Sequence, residues 1–409
     1  MRHRVAITGL GIISCLGTSP NEVAEALYEG KSGIIADYER KQLGFFSCLT
    51  GAIAPYISHF PLSRKQRKTM PDFAQWAVEA SAQALRQAEF PLEDLHNERS
   101  GILFGCDSSA LAPIEQTTIL LEKKNTASLG SGLVFRSMTS CVTMNLNTVF
   151  GTQGACWTIS SACSSGAHAL GQAADLIMLG RQDRMLCGGA QEINWQSMCS
   201  FDALGAFASR EDTPHTASRP FDAERDGLVP SGGAAALFLE RYDLAQKRGA
   251  KILGEVAGYG FSSDGENIAV PSQNGLYRAM CMALKTAGME PQDIDYICAH
   301  ATSTPVGDSV EARCITTLFG EKTVPVSSTK SMTGHELWMS GAAQAVYSVI
   351  MAKNQFLAPN CNFNTPDNDS ASLDIILETR HAAPKATLCN SAGFGGTNAS
   401  LVLRFRENE

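Results

Sequence analysis

The alternation of apolar and polar residues predicts two long amphipathic helices, each followed by a short strand. Apolar side chains recur at helical spacing within residues 72–88 and again within residues 275–287, so each segment has one apolar face. These faces hold Phe73, Trp76, Ala77, Ala80, Ala84 and Leu85 in the first segment, and Leu276, Met280, Ala283 and Leu284 in the second. A proline-led turn and an apolar, strand-like run follow each segment.

The two units correspond in detail, which predicts a chain built from two similar halves. Asp94 follows the first helix at the same separation as Asp293 follows the second. Strand-like runs alternate with helices on both sides of a seam near Arg248–Ala250, so each half should hold a mixed, mostly parallel sheet covered by helices. We therefore predict an α/β fold with an N-terminal half over 1–250 and a C-terminal half over 251–409.

Composition restricts the class of protein. The 409 residues are 44% hydrophobic and 18% charged, which suits a large buried core and is unlike a disordered chain. Thirteen cysteines, an odd number without a C-x-x-C pair, favour free thiols in a reducing compartment. No His/Cys/Asp cluster has metal-ligand spacing, and no apolar run is long enough to span a membrane. We therefore expect a cytoplasmic protein without a bound metal.

The N-terminal residues imitate two known motifs without matching either. Basic residues followed by an apolar stretch to Leu16 are similar to a signal peptide, but no cleavage-like Ala-x-Ala follows. Gly9 and Gly11 lack the third glycine of a dinucleotide-binding fingerprint. We interpret them as part of a strand that enters a tight loop.

Cys163 indicates a chemistry more directly than any other residue. It lies where the β-type run that begins at Trp157 turns into a helix of small residues. Unpaired N–H groups and the positive dipole end in the first turn of a helix favour thiolate over thiol, and they can hold a developing oxyanion. Ala162, Gly166 and the neighbouring serines leave room for a substrate. A small buried cysteine is usually inert, but these surroundings predict a nucleophile.

Two histidines occupy comparable positions, each in a loop that follows a strand-like run. His300 ends an apolar run, and His335 closes the loop that follows the apolar stretch Val324–Val326. Doubly wound folds collect catalytic groups at such strand ends. A glycine-rich loop, Asn390–Asn398, lies between two further strand-like runs and can bring backbone N–H groups close to a ligand. Together these loops predict one active site.

The loops belong to longer motifs that occur in order along nearly the whole chain. The motifs are Val5–Gly11, Ser161–Cys163, Arg219–Gly227, Thr302–Asp308, Lys330–His335 and Gly393–Asn398. With them the chain resembles the β-ketoacyl-acyl-carrier-protein synthases of the thiolase-like superfamily, in particular their elongating Cys-His-His class. The resemblance implies a five-layer α-β-α-β-α fold of two similar halves, with the active site between them. It also implies an acyltransferase that extends acyl chains by two carbons in fatty-acid or polyketide biosynthesis.

The resemblance assigns the bond changes to four residues. Cys163 would carry the acyl group, and its N–H would share the oxyanion with the N–H of Phe394. The Phe394 ring would also gate the acyl channel. His300 and His335 would stabilise the enolate that forms when malonyl carrier protein loses carbon dioxide, before its Claisen attack on the acyl-cysteine.

Four further residues would support the reaction. Lys330 would complete the catalytic set, and with Glu311 it would orient the site. Thr302 and Thr304 would hydrogen-bond the pantetheine arm, although without the resemblance their hydroxyls would be read as ordinary loop caps. No bound cofactor is implied, since the substrates arrive on the phosphopantetheine arm of acyl carrier protein.

The implied partner, acyl carrier protein, is acidic, whereas this chain itself has a net charge of -8. A local basic patch formed by Arg64, Lys65, Arg67 and Lys68 could still attract it, and the patch corresponds to where relatives dock the carrier. No aromatic residues interleave with the patch, so nucleic acid is not expected. The resemblance further implies a dimer, with an identical or a related ketosynthase-like chain, through a contact near Ser140–Asn145.

Three positions near the site depart from the usual pattern of the family. Trp338 stands in place of a glycine after the second histidine, Ala392 in place of a phenylalanine, and Ala301 in place of a glycine. Two interpretations stay open. Trp338 fills the volume that Ala392 leaves, or the channel is reshaped for an unusual acyl chain such as a rigid polyene or an aryl-primed chain.

Other functions compete with an active elongating synthase. One is a specialised ketosynthase of an aryl polyene type of pathway that acts with a partner subunit. Another is a non-catalytic chain-length partner, but such chains usually lose the nucleophile and this one keeps Cys163. A thiolase-type enzyme acting on coenzyme A would need a second catalytic cysteine, for which Cys389 is the candidate, but Asn390–Asn398 is of the synthase type.

Overall fold

The computed structural model describes residues 2–405. Residues 1 and 406–409, at the outer ends of the two predicted halves, lie outside the described part. The strands are β1 Val5–Ile13, β2 Ile34–Ala36, β3 Leu49–Gly51, β4 Ser100–Gly105, β5 Cys156–Ile159, β6 Arg184–Gln191, β7 Gly233–Arg241, β8 Gly254–Ser263, β9 Tyr296–Cys298, β10 Pro325–Ser327, β11 Phe356–Leu357, β12 Asp374–Ile375, β13 Arg380–His381, β14 Ala386–Gly393 and β15 Thr397–Arg404.

The helices include both amphipathic segments predicted from the periodicity, α4 and α11, and these predictions are confirmed. The helices are α1 Pro20–Glu29, α2 Tyr38–Gln42, α3 Arg64–Arg67, α4 Asp72–Gln87, α5 Leu111–Lys123, α6 Leu133–Arg136, α7 Cys141–Phe150, α8 Ser165–Met178, α9 Trp195–Ala203, α10 Tyr242–Lys247, α11 Gln273–Ala287, α12 Pro305–Phe319, α13 Lys330–Thr333 and α14 Ser340–Asn354. Short 3-10 turns, Leu92–Leu95 and Pro291–Asp293, follow α4 and α11 where the proline-led turns were expected.

The order of the strands shows two similar halves. Within the described residues, 11 strands form one hydrogen-bonded series, which reads β5-β4-β6-β7-β1 from one edge and β12-β10-β9-β14-β15-β8 from the other. Each strand of the N-terminal half has a counterpart at the same place in the C-terminal half. Strand β12 is an additional strand at the outer edge of the C-terminal half. The halves meet where β1 and β8 pair, Ala6 with Glu255 and Ile7 with Gly254. The expectation of two similar halves is confirmed.

The strand directions are mixed and mostly parallel in both halves, as predicted. There β4 runs parallel to β5 and β6, while β7 runs antiparallel to β1 and β6. In the C-terminal half β9 runs parallel to β10 and β14, and β15 runs antiparallel to β8 and β14. Strands β1, β4, β5 and β6 therefore share one direction with β7 reversed, and β8, β9, β10, β12 and β14 share one direction with β15 reversed. This prediction is confirmed.

The helices form three layers around the strands. Helices α8 and α14 contact each other and strands of both halves, so they form the central layer. Helices α4 and α7 cover the strands of the N-terminal half, and α11, with α12 beside it, covers those of the C-terminal half. The result is the five-layer α-β-α-β-α arrangement. The turns before the two central helices, Ala162–Ser164 and Leu337–Met339, contact each other, which brings the functional loops of both halves together.

Gly9 and Gly11 lie inside strand β1, and the strand enters a tight turn in which Ser14 and Gly17 exchange backbone hydrogen bonds, as interpreted from the sequence. A Cβ at either position would clash with a backbone carbonyl oxygen of helix α4. Gly258 and Gly260 in β8 meet the backbone of helix α11 in the same way. The glycines therefore allow a helix to pack closely on β1 and on β8, the strands at which the two halves meet.

All thirteen cysteines are free thiols. Among residues 2–405, no group of three or more His, Cys, Asp or Glu side chains is placed to hold a metal ion. In the same part of the chain, the helices are too short or too polar to cross a membrane.

Candidate active site

Cys163 lies in a strained turn between strand β5 and helix α8. Ala162 has a φ of 49°, a left-handed conformation that is unfavourable for a residue with a Cβ. The 3-10 turn that contains Cys163 leads directly into α8. Ser165 closes the turn, because its Oγ donates to the carbonyl oxygen of Ala162 at 2.6 Å and accepts the N–H of Ser161 at 2.9 Å. The cysteine is thus held at the N-terminal end of α8, at the transition from strand to helix that the sequence indicates.

The glycine-rich loop connects β14 to β15 and lies against this turn. Thr397 fastens the two together: its Oγ1 donates to the carbonyl oxygen of Ser161 at 2.9 Å, and its own carbonyl oxygen accepts the hydroxyl of Ser164 at 2.8 Å. These bonds join the first residues of β15 to both sides of the nucleophile turn. The two loops, distant in sequence, therefore form one wall of the site.

Gly393 lets the backbone of this loop reach the nucleophile. A Cβ on Gly393 would lie 3.1 Å from the backbone nitrogen of Cys163. The next residue, Phe394, directs its N–H to the Cys163 sulfur. The Phe394 ring is 38% exposed and stacks on Phe201, with ring centroids 6.1 Å apart. The N–H groups of residues 163 and 394 are therefore close together, as an oxyanion hole requires.

His300 and His335 meet edge to face. Their ring centroids are 5.2 Å apart, and the ring planes are inclined at 87°. The Nδ1 atom of each ring is buried and has no hydrogen-bond partner among residues 2–405. Burial, assisted by the nearby Lys330 cation, holds the pKa of both imidazoles well below its usual value. Both rings are therefore neutral at pH 7.

Glu311 holds the loop that carries His300. Its buried carboxylate accepts the backbone N–H groups of His300 at 2.9 Å and Ala301 at 2.7 Å. It also accepts the side-chain amide of Asn390 at 3.0 Å. Because Asn390 lies on β14, which leads into the glycine-rich loop, Glu311 links two of the loops that border the site.

Lys330 is buried beside both histidines but forms no direct ion pair with Glu311. Its Nζ has no hydrogen-bond partner in the described part of the chain. Burial lowers the pKa of Lys330, and the nearby Cys298, Glu336 and Glu311 oppose this shift. Lys330 is therefore placed to influence the site through its charge, and Glu311 contacts it through backbone hydrogen bonds.

Glu336 is a buried acid next to the site. It was not among the functional residues predicted from the sequence. One carboxylate oxygen accepts the hydroxyl of Tyr347 at 2.5 Å, and the other is buried without a partner among residues 2–405. Burial raises the pKa of Glu336 to about 8, although Tyr347 and Lys330 oppose the shift. One feature of the sequence pointed to Glu336: it directly follows His335, in the segment that departs from the family pattern.

The protonation state of Cys163 differs from the prediction. Burial raises the pKa of its thiol to about 12, while the Lys330 cation and the Phe394 N–H oppose the shift. The expected stabilised thiolate is therefore wrong for the resting protein, because the loss of hydration outweighs these favourable contacts. The Cys163 side chain is therefore a thiol at neutral pH.

A cavity of about 470 Å³ joins Cys163 to the surface. His300, His335 and Ala392 border it, and Thr302 and Thr304 lie along its wall. Three of the side chains that line the cavity, Ile268, Val270 and Val306, are strongly exposed, so the cavity opens to solvent beside them. The cavity therefore extends from solvent to Cys163, and both predicted binding threonines border it.

Asp308 shapes the threonine loop, although it was not predicted as a site residue. It accepts the backbone N–H groups of Thr302 at 2.9 Å, Ser303 at 3.2 Å and Thr304 at 3.3 Å. The two threonine hydroxyls lie 3.2 Å apart. An acidic residue in the first turn of α12 was the available signal, since such residues often bind free N–H groups.

The basic patch is exposed but does not line the cavity. Arg64, Lys65 and Arg67 lie on α3, and Lys68 follows directly. Beside them, the Thr69 hydroxyl donates to the side-chain oxygen of Asn145 at 2.8 Å. The patch therefore lies next to α7, on the N-terminal half.

Comparisons with known proteins agree with this geometry. The model of the beta-ketoacyl synthase N-terminal domain matches residues 2–245, and that of the C-terminal domain matches residues 253–364. A 3-oxoacyl-[acyl-carrier-protein] synthase 1 of Haemophilus influenzae is 39% identical over 405 residues, 98% of this chain and 99% of the relative.

Solved structures give the same result. A beta-ketoacyl synthase from Burkholderia phymatum superimposes with a TM-score of 0.94 at 35% identity, over 99% of this chain and 100% of that one. A ketosynthase solved in complex with its type II PKS acyl-carrier protein superimposes with a TM-score of 0.89 at 31% identity, over the full length of both chains.

Proposed function

The chain belongs to the beta-ketoacyl synthase family, and from this membership we infer that it is an acyltransferase that extends carrier-bound acyl chains. The reaction is the decarboxylative condensation of malonyl carrier protein with an acyl group held on Cys163, which lengthens the chain by two carbons. One observation carries this conclusion for the present chain: Cys163, His300 and His335 line the same cavity, which is open to solvent.

The first step transfers the acyl group from the carrier to Cys163. The sulfur attacks the thioester carbonyl, and the N–H groups of Cys163 and Phe394 hold the oxyanion of the tetrahedral intermediate. The bond to the pantetheine sulfur then breaks. The proton of the Cys163 thiol passes to the departing sulfur, so the step involves no net change of charge.

The second step forms the carbon–carbon bond. The malonyl group loses carbon dioxide, and the electron pair of the broken bond becomes an enolate. Neutral His300 and His335 each donate an N–H to the thioester oxygen and stabilise this charge. The enolate carbon attacks the acyl carbonyl, the bond to Cys163 breaks, and the released thiolate takes up one proton.

The substrates require a path for the pantetheine arm and a surface for its carrier. We assign the path to the cavity, where Thr302 and Thr304 can hydrogen-bond the arm. No bound cofactor is needed, since each acyl group arrives on the arm of acyl carrier protein. The exposed cations on and after α3 are suited to attract that acidic partner.

We propose a dimer through the edge strand β5. The predicted contact at Ser140–Asn145 needs correction, because Cys141, Val142, Thr143 and Asn145 are buried within the subunit. The exposed apolar side chains near this sheet edge are instead Val134, Phe135, Met138 and Trp157. An unpaired edge strand beside exposed apolar residues suits a contact with a second chain. The partner is an identical chain or a related ketosynthase-like chain.

Fatty-acid elongation is the primary assignment, and the thirteen free cysteines support a location in the reducing cytoplasm. A second candidate is a specialised ketosynthase, such as one of an aryl polyene type of pathway, that acts with a partner subunit. Ala392 favours this candidate, because it stands in place of a phenylalanine of the family pattern and lines the open cavity. A non-catalytic chain-length partner is disfavoured by the intact set of Cys163, His300, His335 and Lys330.

Intact-mass spectrometry of the purified protein tests the assignment. Wild type and Cys163→Ala are incubated with acyl carrier-protein thioesters, with and without malonyl carrier protein. We expect an acyl adduct that is absent in Cys163→Ala, and a product two carbons longer when malonyl carrier protein is present. If no donor acylates the wild type, either alone or with a co-purified partner, the proposed function is wrong.

A further inference from the structure

The acyl group on Cys163 needs a space of its own. The cavity lined by Thr302 and Thr304 reaches Cys163. In the second step the malonyl arm must occupy this cavity while the first acyl group is still attached to Cys163. The acyl chain must therefore extend to another side of the sulfur.

An apolar cluster borders Cys163 and contains Trp338. Its buried members are Cys163, Met198, Phe207, Leu228, Leu337 and Trp338. The indole of Trp338 is 6% exposed and lies against Phe201, with ring centroids 6.3 Å apart. Trp338 is the largest side chain in the cluster, and the family pattern has a glycine at its position. It therefore occupies space beside the nucleophile that such relatives leave free.

The indole is held firmly in this position. Its Nε1–H donates to the hydroxyl of Ser108 at 3.2 Å. The Trp338 carbonyl oxygen lies 3.0 Å from where a Cβ on Gly166 or Gly189 would be, so the backbone is wedged between α8 and β6. The preceding residue, Leu337, has a φ of 46°. A ring anchored at both its nitrogen and its backbone cannot withdraw easily to admit a long chain.

Ala392 does not provide the space that Trp338 fills. Within residues 2–405, Ala392 lines the open cavity together with Gly393 and Phe394, whereas Trp338 is not part of that lining. The volume left by the missing phenylalanine is therefore open to the cavity. Of the two interpretations of these substitutions, a reshaped channel fits this placement and a simple exchange of volume does not.

We propose that Trp338 determines the length of the acyl group that the protein accepts, by closing the space behind Cys163 to all but short chains. The proposal rests on the proposed function, since it concerns the acyl group carried by Cys163. Protein interiors are close-packed, so a chain longer than the free space must displace the indole or distort its neighbours. Short acyl groups such as butyryl fit without that displacement, and long saturated ones such as palmitoyl do not.

The test compares acylation rates of Cys163 for wild type, Trp338→Gly and Trp338→Leu. Butyryl, hexanoyl, decanoyl and palmitoyl groups are supplied as carrier-protein thioesters and as pantetheine thioesters, and the adduct is followed by intact mass. We expect wild type to favour butyryl. In Trp338→Gly the decanoyl-to-butyryl rate ratio should rise by about 100-fold, since a few methylenes in an apolar pocket discriminate on this scale. Trp338→Leu should give an intermediate ratio.

A matched control is Trp76→Leu, which removes a tryptophan that packs on the outer core of the N-terminal half. It should leave the ratio unchanged. If Trp338→Gly does not fold, as judged by its thermal transition, Trp338→Leu decides the question. An unchanged ratio in a folded Trp338 variant that still accepts butyryl overturns the length proposal alone. The absence of any adduct in wild type overturns the proposed function with it.

Discussion

The α-carbon of Gly393 faces the backbone amide of Cys163 so closely that a methyl group on residue 393 would lie 3.1 Å from that nitrogen. It would also lie 3.0 Å from the carbonyl oxygen of Ser161. The two N–H groups that we propose for the oxyanion hole, those of Cys163 and Phe394, come from opposite sides of this contact, since Phe394 directly follows Gly393. The catalytic geometry therefore depends on the absence of a side chain at this position.

Gly393→Ala should reduce acyl transfer to Cys163 by about 100-fold, because the loop must retreat and the Phe394 N–H moves away from the oxyanion. The rate is measured as adduct formation by intact mass. Gly44→Ala is a suitable control for glycine substitution, because no atom lies within 4 Å of a Cβ there, although its φ of 83° makes it strained. An equal loss in both variants would contradict the proposed role of Gly393.

Loss of either histidine should separate the two steps of the reaction. His300→Ala and His335→Ala remove one donor to the enolate oxygen, which typically costs about 2.7–4 kcal/mol of transition-state stabilisation. Condensation should fall by about 100- to 1000-fold on that basis. Acyl transfer to Cys163 should fall much less. Product formation and adduct formation are measured in the same sample, and a parallel loss of both would show that the histidines serve the first step as well.

Lys330 should make Cys163 more reactive. Its cation favours the thiolate and opposes the effect of burial, which raises the pKa of Cys163 to about 12. Lys330→Ala should therefore raise this pKa further and slow alkylation by iodoacetamide at pH 8 to 9. Alkylation of wild type should accelerate throughout the rise from pH 7 to pH 10. Exposed Cys199 provides an internal control in peptide mapping, and an unchanged rate at Cys163 would exclude the electrostatic role of Lys330.

Glu336 should make the stability of the protein depend on pH. Its pKa is raised from 4.5 to about 8 by burial, so the folded state binds the proton more tightly than the unfolded chain does. This contribution is fully present below pH 4.5 and is lost as the pH rises to about 8, with a limiting slope of about 1.4 kcal/mol per pH unit. Glu336→Gln should therefore show a smaller fall in melting temperature between pH 6 and pH 8 than wild type. Identical pH profiles would indicate that Glu336 is ionised throughout.

The basic patch should act on carrier recognition and not on chemistry. Charge reversal at Arg64 and Arg67 should raise the KM for acyl carrier protein. Both cations are exposed and attract an acidic partner, whereas acidic side chains at these positions would repel it. Rates with a pantetheine-only thioester should not change. The effect should weaken at high salt, since exposed charges are screened. Equal losses with both substrates would contradict the docking role.

Much of the fold was predictable because its signals are local. Helices α4 and α11 follow from apolar spacing within single segments, and their repetition shows that the chain has two similar halves. The order of motifs likewise singled out Cys163, His300 and His335, because each lies at a strand end whose character is set by adjacent residues. The close helix packing that requires Gly9 and Gly11 was not predicted, since it depends on helix α4, which lies far away in the sequence.

The sequence by itself determined which residues are available for catalysis and the kind of fold that presents them, because periodicity and motif order are properties of neighbouring residues. Only the tertiary structure decided the protonation of these residues and the free volume around them. Burial by both halves makes Cys163 a thiol and raises the pKa of Glu336, since hydration is lost through contacts with many distant segments. The same packing places Trp338 beside the nucleophile and leaves Ala392 facing the open cavity. Hydration and free volume are set by all surrounding elements together, so no single segment of sequence encodes them.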